Sequence, residues 1–454
     1  MIRVLWGILY LIRIFQTDFC LEGYSINFYS NWLIIISVII LYIIFLFRAD
    51  SLVVFLMNVL GINILLFFFS RRVFIFYILF EFGLIPMMIL ILTRGYQPER
   101  MGARLWFLLY TIFGSLPLLF FLVYIYNNNG RSFIFIIRPI NRNLFIFPLV
   151  VAFLVKLPVY GFHLWLPKAH VQAPVTGRIF LAAIILKIGG FGIFFLKPLL
   201  ITGNRLRIVV ILVSVVGSVI AILYCIILDD LKMVIAYRRI GHIGLVVGTI
   251  LRDNEIGVWR RLLIIVGHGY TSSLMFYLGN DLYLSQGSRS LSIVKGIVRR
   301  RSILIIFIRI VLILNISFPP SINIFGEISA VISIVPLFPS RIIVLILLVL
   351  LGGIFNIKLY VNVRHGTNSI GYPSFKIRRK SITVGIRHFL PYLLLVFFFY
   401  AKTTIYKNLY TYCRVTYTYK HFNFLKLWKN SRGNPRNSNP FRIFLENTLH
   451  CRYR

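Results

Sequence analysis

Apolar runs of membrane-spanning length recur along the whole chain, and they restrict its fold more than any other feature. A helix that crosses a bilayer needs roughly 20 predominantly apolar residues. The first run, in "MIRVLWGILYLIRIF", is predicted to be a helix rather than a cleaved signal, because no Ala-x-Ala site follows it. The sequence therefore predicts an all-α, multi-pass transmembrane fold of about 13–14 helices. The runs lie near 2–16, 31–48, 52–70, 73–93, 105–126, 144–165, 175–198, 208–228, 233–251, 258–279, 302–318, 322–338, 341–361 and 383–401.

The balance of residue types agrees with a membrane protein and excludes other classes. Hydrophobic residues make up 59% of the 454 residues and charged residues only 13%, whereas soluble proteins carry about 25% charged residues. The net charge is +37, from 49 Lys and Arg against 12 Asp and Glu. This charge does not indicate nucleic-acid binding, because no soluble basic domain is present to carry out the binding. Part of the excess fits positively charged loops.

The cysteines and histidines do not indicate a redox centre or a resident metal. The cysteines are Cys20, Cys225, Cys413 and Cys451. They are widely scattered without a C-x-x-C pair, whereas zinc sites, iron–sulfur clusters and disulfide frameworks need closer spacings. The closest histidines, His163 and His170, flank a Pro–Lys turn rather than sharing one helix face. We therefore expect this chain to bind no cofactor and no metal.

Proline interrupts two of the apolar runs beside an ionisable residue. Lys156 lies two residues before Pro158, and Glu327 lies seven residues after Pro320. Proline removes a backbone donor and clashes with the preceding turn, so both helices are predicted to be broken. Broken helices in corresponding places of two halves are typical of transporters built from inverted repeats. The pattern therefore indicates a transporter, although the two halves share little sequence.

Ionisable residues inside the apolar runs are candidate functional groups, because a charge at the centre of a membrane helix costs about 2.5–3.5 kcal/mol. Further candidates besides the two at the breaks are Glu81, Lys187, His242 and His268. If folding brings a carboxylate close to a lysine, the proton affinity of the lysine depends on the distance between them. An imidazole nearby could then relay the proton. The alternatives remain open: a neutral carboxyl bonded to backbone, a snorkelling lysine, or a histidine hydrogen-bonded in the core.

Three other charged residues are predicted to lie at helix ends. Lys168, in "LPKAH", is expected at the membrane interface. Asp229 and Asp230 directly precede an apolar run, where an acidic side chain caps a helix or lies in a loop. None of the three is therefore assigned to the chemistry.

Several segments together resemble a known family. They are "FYILFEFGLIP", "GYQPER", "KLPVYGFHLWLPKAHVQAPVTG", "LAAIILKIGGFG", "DDLKMVIAY", "GHGYTSSLMF" and "FPPSINIFGEIS". In their order and in their residues they resemble the antiporter-like membrane subunits of mitochondrial NADH:ubiquinone oxidoreductase, respiratory complex I, from about residue 73 to 361. The glutamate at 327 is similar to the subunit-4 branch, whereas the sibling subunits 2 and 5 tend to carry lysine there. The resemblance implies two inverted five-helix repeats, each with one broken helix.

The resemblance also implies roles for the ionisable residues. Protons would move along a buried axis, driven by quinone reduction in other subunits. NADH, FMN, iron–sulfur clusters and ubiquinone would then be bound elsewhere in the complex. The implied partners are the antiporter-like subunits 2 and 5 and the lipid of the mitochondrial inner membrane. The implied axis consists of Glu81, Lys156, Lys187, His242, His268 and Glu327.

Two other function classes stay open from the sequence. A stand-alone monovalent cation/proton antiporter subunit would carry the same axis without a quinone enzyme. A structural membrane subunit would tolerate neutral residues at Lys156, Lys187 and Glu327 together. The expected organisation is the same for all three: N-terminal helices at 1–70, repeats at 71–205 and 206–365, a C-terminal helix region at 366–401 and a basic tail at 402–454.

The sequence departs from the family in two ways. Glu81 lies in the fourth apolar run, whereas the family has this glutamate on the fifth helix. We therefore expect either an N-terminus that is shorter by roughly one helix or a start codon that was assigned too far downstream. Arginine also stands where the family has serine or another small residue. Because AGA and AGG encode serine in many invertebrate mitochondrial codes, we hypothesise that these arginines are serines in the protein as made. The positions are Arg71, Arg72, Arg104, Arg178, Arg238 and Arg239.

Overall fold

The structure is a computed structural model, and it describes ten stretches of the chain. These are 24–47, 50–95, 98–130, 146–196, 204–251, 256–295, 302–319, 321–335, 342–365 and 383–397. The predicted helix at 2–16 and the basic tail at 402–454 lie outside the described residues. Met1–Val396 forms one unit by its contacts.

The described residues are helical apart from turns, loops and isolated bridge residues, such as the pair Asp230 and Ser290, which confirms the all-α prediction. Within the described stretches, eight helices are long and apolar enough to cross a membrane. The elements are α1 (Tyr24–Phe45), α2 (Ser51–Phe69), α3 (Val73–Phe82), α4 (Leu84–Arg94), α5 (Arg100–Asn129), α6 (Ile146–Lys156), α7 (Trp165–Gln172), α8 (Val175–Phe180), α9 (Leu186–Leu196), α10 (Asn204–Ile227), α11 (Leu231–Ile250), α12 (Ile256–Gln286), α13 (Ser302–Asn315), α14 (Ile322–Ile334), α15 (Ile342–Arg364) and α16 (Thr383–Phe397).

The first predicted break lies directly after Lys156. Helix α6 ends at this lysine, and the chain is not helical again until α7 begins at Trp165. Pro158 has no backbone donor to continue the helix, and Gly161 adopts φ 102°, a conformation that favours glycine. The Trp165 indole donates to the Val155 carbonyl at 2.9 Å and so joins the two half-helices. The proline pattern therefore predicted this break correctly.

The second predicted break separates α13 from α14. Helix α13 ends at Asn315, Ser317 adopts φ 65°, and α14 begins at Ile322 with Glu327 in its second turn. The Asn323 amide donates to the Leu314 carbonyl at 3.1 Å, which satisfies one acceptor left free where α13 ends. Pro320 itself lies outside the described residues. The position of the break agrees with the sequence prediction.

Three of the six candidate residues lie on the most buried helices of the bundle, whereas Glu81 lies on the segment Val73–Arg94, which is 39% buried. The segment Val175–Leu196, which carries Lys187, is 94% buried, and Leu262–Leu284, with His268, is 89% buried. The segment Leu231–Ile250, with His242, is 83% buried, whereas Ile343–Arg364 is 33% buried. Polar groups therefore concentrate where lipid does not reach them, as expected of functional groups in a membrane protein. The inverted repeat stays a prediction.

Candidate functional site

Glu81 and Lys156 form an ion pair between α3 and the break after α6. Lys156 Nζ lies 3.8 Å from Glu81 Oε1, and the lysine side chain is only 4% exposed. The ammonium also donates to the Phe80 carbonyl and lies over the Phe80 ring. The Glu81 side chain is 24% exposed and has the Ser115 hydroxyl of α5 as a second neighbour. Folding thus brings together a carboxylate and an ammonium that lie far apart in the sequence.

A π-helical turn precedes Lys187. Residues Leu181–Ile185 form this turn between α8 and α9, and π turns frequently mark functional sites. Lys187 Nζ donates to the Ala182 carbonyl in the same turn at 3.1 Å. Gly269 of α12 packs against the lysine, since a Cβ built there would lie 3.4 Å from Lys187 Cε. The ammonium is therefore held by a backbone carbonyl on one side and a glycine surface on the other.

A cavity of about 50 Å³ adjoins Lys187 in the middle of the bundle. A space of this size accommodates a few water molecules. Its polar lining comes from Lys187, Arg238, Arg239, His242, His268, Ser272 and Asn315. Leu157, the residue next to Lys156, also contributes to the wall. The cavity therefore connects the central lysine with both predicted histidines and reaches the first helix break.

His242, His268 and Glu327 meet where α11, α12 and α14 pack together. His242 Nδ1 and His268 Nε2 each lie 3.4 Å from Glu327 Oε1. The two imidazole rings are 4.2 Å apart between centroids. All three side chains are about nine-tenths buried. Three residues predicted separately from the sequence thus form one cluster, which we call the His–His–Glu cluster.

The six predicted residues therefore occupy three linked places. The ion pair lies at the first helix break, Lys187 lies at the cavity, and the His–His–Glu cluster lies at the second break. The structure gives no direct contact between Lys156 and Lys187, and the cavity wall at Leu157 is the connection between them. The functional roles of the six residues stay predictions.

Two buried histidines were not assigned a role from the sequence. His170 is fully buried and stacks on Phe276 at 4.4 Å between ring centroids. His388 of α16 is also fully buried, and its Nε2 lies 2.7 Å from the Ser273 hydroxyl of α12. Each occurs inside or beside an apolar run, and this position was the feature of the sequence that could have indicated a buried histidine. The bond between His388 and Ser273 attaches the C-terminal helix to the core.

The hypothesised serine positions fall into two environments. Arg71 and Arg72 are exposed, so arginine is free to occupy them. Arg178, Arg238 and Arg239 are only 1%, 4% and 6% exposed. The Arg239 guanidinium lies over the Phe276 ring, with no hydrogen-bond partner for any of its nitrogens. A guanidinium buried in the bundle is costly, most of all without hydrogen bonds, so these three positions are the ones at which arginine conflicts with its surroundings.

The other arginines in or near the apolar runs say less about whether arginine or serine occupies the position. Arg104 is half-buried on α5. Arg309 interrupts an apolar run but is exposed on α13, so it does not enter the core. Arg238 differs from Arg239 in that it donates to the carbonyls of Asn315 and Gly352.

Of the three residues predicted at helix ends, the two aspartates lie between α10 and α11. Asp230 caps α11, since its carboxylate accepts from the backbone of Lys232 and Met233. Asp229 is exposed and accepts from Ser290 Oγ at 2.5 Å and Ser292 Oγ at 3.1 Å. These hydrogen bonds, led by the bond from Ser290, lower the pKa of the Asp229 carboxyl. Both alternatives of the prediction therefore occur: Asp230 caps α11, and Asp229 lies in a loop, where it bonds to Ser290 and Ser292.

Lys168 lies inside α7, as the fourth of its eight residues, and its expected place at the membrane interface stays a prediction. Its ammonium lies 3.6 Å above the Trp106 ring. Both residues line an open cavity of about 380 Å³, together with Glu99, Gln172, Asp230 and Arg289. Glu99 accepts from the Gln172 amide at 3.2 Å.

The sequence is similar to a known family of membrane proteins and to individual members of it. Residues 70–355 match the family model described as NADH:quinone oxidoreductase/Mrp antiporter, transmembrane region. NADH-ubiquinone oxidoreductase chain 4 of Ceratitis capitata is 39% identical over 326 residues, which is 71% of this chain and 73% of the relative. Chain 4 of Locusta migratoria is 38% identical over 315 residues, or 67% of this chain and 71% of the relative.

Solved structures share the fold at low sequence identity. A chain of respiratory complex I from Thermus thermophilus with bound NADH superposes with a TM-score of 0.72 at 19% identity, covering 82% of this chain and 80% of that one. A chain of the Mrp complex from Dietzia sp. DQ12-45-1b gives a TM-score of 0.68 at 14% identity, covering 75% and 67%. The fold is therefore common to respiratory and antiporter assemblies.

Proposed function

The chain belongs to the NADH:quinone oxidoreductase/Mrp antiporter family of membrane proteins, and we propose that it translocates protons as a membrane subunit of mitochondrial NADH:ubiquinone oxidoreductase. It is a multi-pass protein of the mitochondrial inner membrane. The observation that carries the proposal is the row of buried ionisable groups: an ion pair, a central lysine beside a cavity, and the His–His–Glu cluster. Such groups are costly within a membrane and mark ion pathways.

The ion pair is the proposed switch. At 3.8 Å the attraction between Lys156 and an ionised Glu81 is about 4 kcal/mol at an effective dielectric constant of about 20. Separation of the two side chains would remove this stabilisation of the ammonium. Lys156 would then release its proton toward the cavity. Because Lys156 ends a half-helix, a small movement of the break changes its distance from Glu81.

Lys187 and the cavity are the proposed middle of the path. A proton that reaches the cavity can be held by Lys187 or passed through water, because His242 and His268 line the same space. The ammonium of Lys187 bonds to a carbonyl rather than to a carboxylate. Its charge is therefore more sensitive to neighbouring charges than that of a lysine in an ion pair.

The His–His–Glu cluster is the proposed final station. Both imidazoles approach the same carboxylate oxygen of Glu327, so a proton can move between three groups with little rearrangement. Glu327 lies on α14, close to the second helix break, where the backbone could open toward the aqueous side. Release across the membrane is proposed to start from this residue.

The energy for the movement is proposed to come from quinone reduction in other subunits of the complex. NADH, FMN, the iron–sulfur clusters and ubiquinone are then held outside this chain. Other membrane subunits of complex I are its partners, and the antiporter-like subunits 2 and 5 are the specific neighbours that we propose.

A stand-alone cation/proton antiporter is the second candidate, because an Mrp complex chain shares the fold. Solubilised mitochondrial membranes separated on a native gel would distinguish the two. Peptides of this chain in the band that oxidises NADH are expected for the proposed function. Peptides found only in bands without NADH activity would favour the antiporter.

A further inference from the structure

The His–His–Glu cluster has the donor set of a zinc site. Two imidazole nitrogens and one carboxylate oxygen are ligands that Zn²⁺ binds readily, at about 2.0–2.2 Å each. In the described part of the chain, His242, His268 and Glu327 form the one group of three such side chains whose ligand atoms all lie within 4.8 Å of one another. We propose that this cluster is a binding site for a divalent transition metal, with Zn²⁺ as the preferred ion.

The spacing of the ligand atoms supports a tetrahedral ion. A tetrahedron with metal–ligand bonds of about 2.05 Å has edges of about 3.3 Å. The two distances from Glu327 Oε1, to His242 Nδ1 and His268 Nε2, are both 3.4 Å. Two of the three edges thus fit already, and the ligand atoms of the two histidines lie within 4.8 Å of each other. At 3.4 Å the same atoms are too far apart for good hydrogen bonds.

The ligand atoms are also poorly satisfied. His242 Nδ1, His268 Nε2 and Glu327 Oε1 are buried, and their contacts with one another at 3.4 Å fall outside good hydrogen-bond geometry. Unsatisfied buried atoms of this kind carry a desolvation cost that a bound ion would remove. The three residues project from three packed helices, α11, α12 and α14, so the arrangement is held by the bundle rather than by a loop.

The fourth coordination position would be filled by water. Both histidines line the central cavity of about 50 Å³, which has room for a metal-bound water molecule. Three protein ligands with an open fourth position is also the usual arrangement of zinc in non-structural sites. Lys187, Arg238 and Arg239 line the same cavity, and their positive charges oppose a cation there. Binding is therefore expected at micromolar rather than nanomolar free Zn²⁺, and serine at position 238 would tighten it.

The functional consequence rests on the proposed function. A bound ion occupies the same lone pairs that a proton relay through the cluster requires. Zn²⁺ is therefore expected to stop proton translocation reversibly, whereas oxidation of NADH by an artificial acceptor in the other subunits continues.

The test uses the intact complex isolated from mitochondria and equilibrated with buffered Zn²⁺ alone. Bound zinc is counted after gel filtration, and its ligands are examined by X-ray absorption at the zinc edge. The complexes compared carry wild-type chain, His268→Gln, or the matched control His388→Gln, which removes a buried histidine outside the cluster. We expect His268→Gln to lose one bound zinc per complex and His388→Gln to lose none. An unchanged zinc count in His268→Gln would overturn the proposal.

Proton translocation is measured separately on the wild-type complex in liposomes. Loss of pumping at the zinc concentration that fills the site is expected, with recovery after chelation. If the zinc count falls in His268→Gln but zinc leaves wild-type pumping unchanged, the metal site stands and the proposed proton path through the cluster is wrong. The two results therefore separate failure of the metal site from failure of the proposed function.

Discussion

Lys156 Nζ and Glu81 Oε1 lie 3.8 Å apart at the end of a half-helix, with the lysine almost fully buried. This distance is short enough for strong attraction and long enough that no tight hydrogen bond fixes it. The ammonium has a second partner in the Phe80 carbonyl. The pair can therefore separate without leaving the lysine unsatisfied, which is what a switch requires.

Replacement of this lysine tests the switch. Lys156→Ala is expected to abolish NADH-driven proton translocation, because no ammonium would remain beside Glu81 at the break. The measurement is dye quenching in liposomes that contain the assembled complex, alongside NADH oxidation with an artificial acceptor. Lys168→Ala is the matched control, since Lys168 contacts Trp106 at the edge of the bundle, and it should keep most of the pumping. Normal pumping by Lys156→Ala would remove Lys156 from the path.

The identity of the buried arginines can be read directly from the protein. We expect serine at positions 178, 238 and 239, because burial of a guanidinium inside the bundle costs several kcal/mol. Trypsin cleaves after arginine but not after serine, so peptides that cover 171–187 and 231–245 would remain uncut at these positions. Mass spectrometry of the complex I band gives the masses. Cleavage at 238 and 239 with arginine masses would show that the charges are present and that the cavity is cationic.

Close packing of α11 on α10 predicts a sensitive glycine. A Cβ at Gly244 would collide with the Ser214 carbonyl and with Ser218 Cβ, neither of which is the end of a flexible side chain. Gly244→Val is expected to destabilise the bundle by about 1–3 kcal/mol. The readout is the temperature at which the assembled complex is lost on a native gel. Gly353→Val on α15 is the control, because a Cβ placed there would have no atom within 4 Å, and it should leave that temperature unchanged.

The loop around Asp229 is expected to respond to acid. The pKa of the Asp229 carboxyl is lowered by hydrogen bonds from Ser290 and Ser292. The ionised carboxylate, bonded to both serines, therefore stabilises the loop at pH values above the ordinary carboxyl pKa. That stabilisation is lost as the pH falls through the lowered value. Two backbone bonds report the bridge: Leu231 N to Arg289 O at 3.0 Å and Leu291 N to Asp229 O at 2.8 Å.

Hydrogen exchange of these two amides gives the measurement, with the intrinsic rate divided out. Protection is expected to fall in Asp229→Ala at neutral pH and in the wild type at acid pH. Asp50→Ala, which removes another exposed acid paired with Arg94, is the control and should leave both amides protected. Unchanged protection in Asp229→Ala would mean that the backbone bonds hold the loop without the carboxylate.

Local features of the sequence were sufficient to predict the helices, their breaks and the Asp230 cap. The length of an apolar run predicts a membrane helix. The missing backbone donor of Pro158 predicts where a helix ends, and an aspartate before an apolar run predicts a helix cap. The cost of burying charge also gave six candidate residues, which the structure places at the two helix breaks and the central cavity. Their role as a proton axis stays a prediction. These predictions depend on neighbours in the chain, which the sequence displays directly.

The contacts between helices could not be predicted in the same way. Nothing in the spacing of His242, His268 and Glu327 indicates that they share one oxygen atom, because that depends on how three helices pack. The carbonyl partner of Lys187 depends on a π-helical turn in "LAAII" that has no clear sequence signal. The bond from His388 to Ser273 likewise depends on where α16 docks.

The π-helical turn at Leu181–Ile185 gives the chain one residue more than a regular helix needs at this point. A π turn holds one residue more than the α-helical turn that it replaces. Deleting one residue from it would restore a continuous α-helix and leave Lys187 at nearly its present angle relative to α8, because both kinds of turn complete one rotation. A one-residue deletion inside the regular α-helix α8 would instead rotate Lys187 by about 100° relative to the residues before it. These two neighbouring segments therefore differ sharply in how well they tolerate a shorter chain.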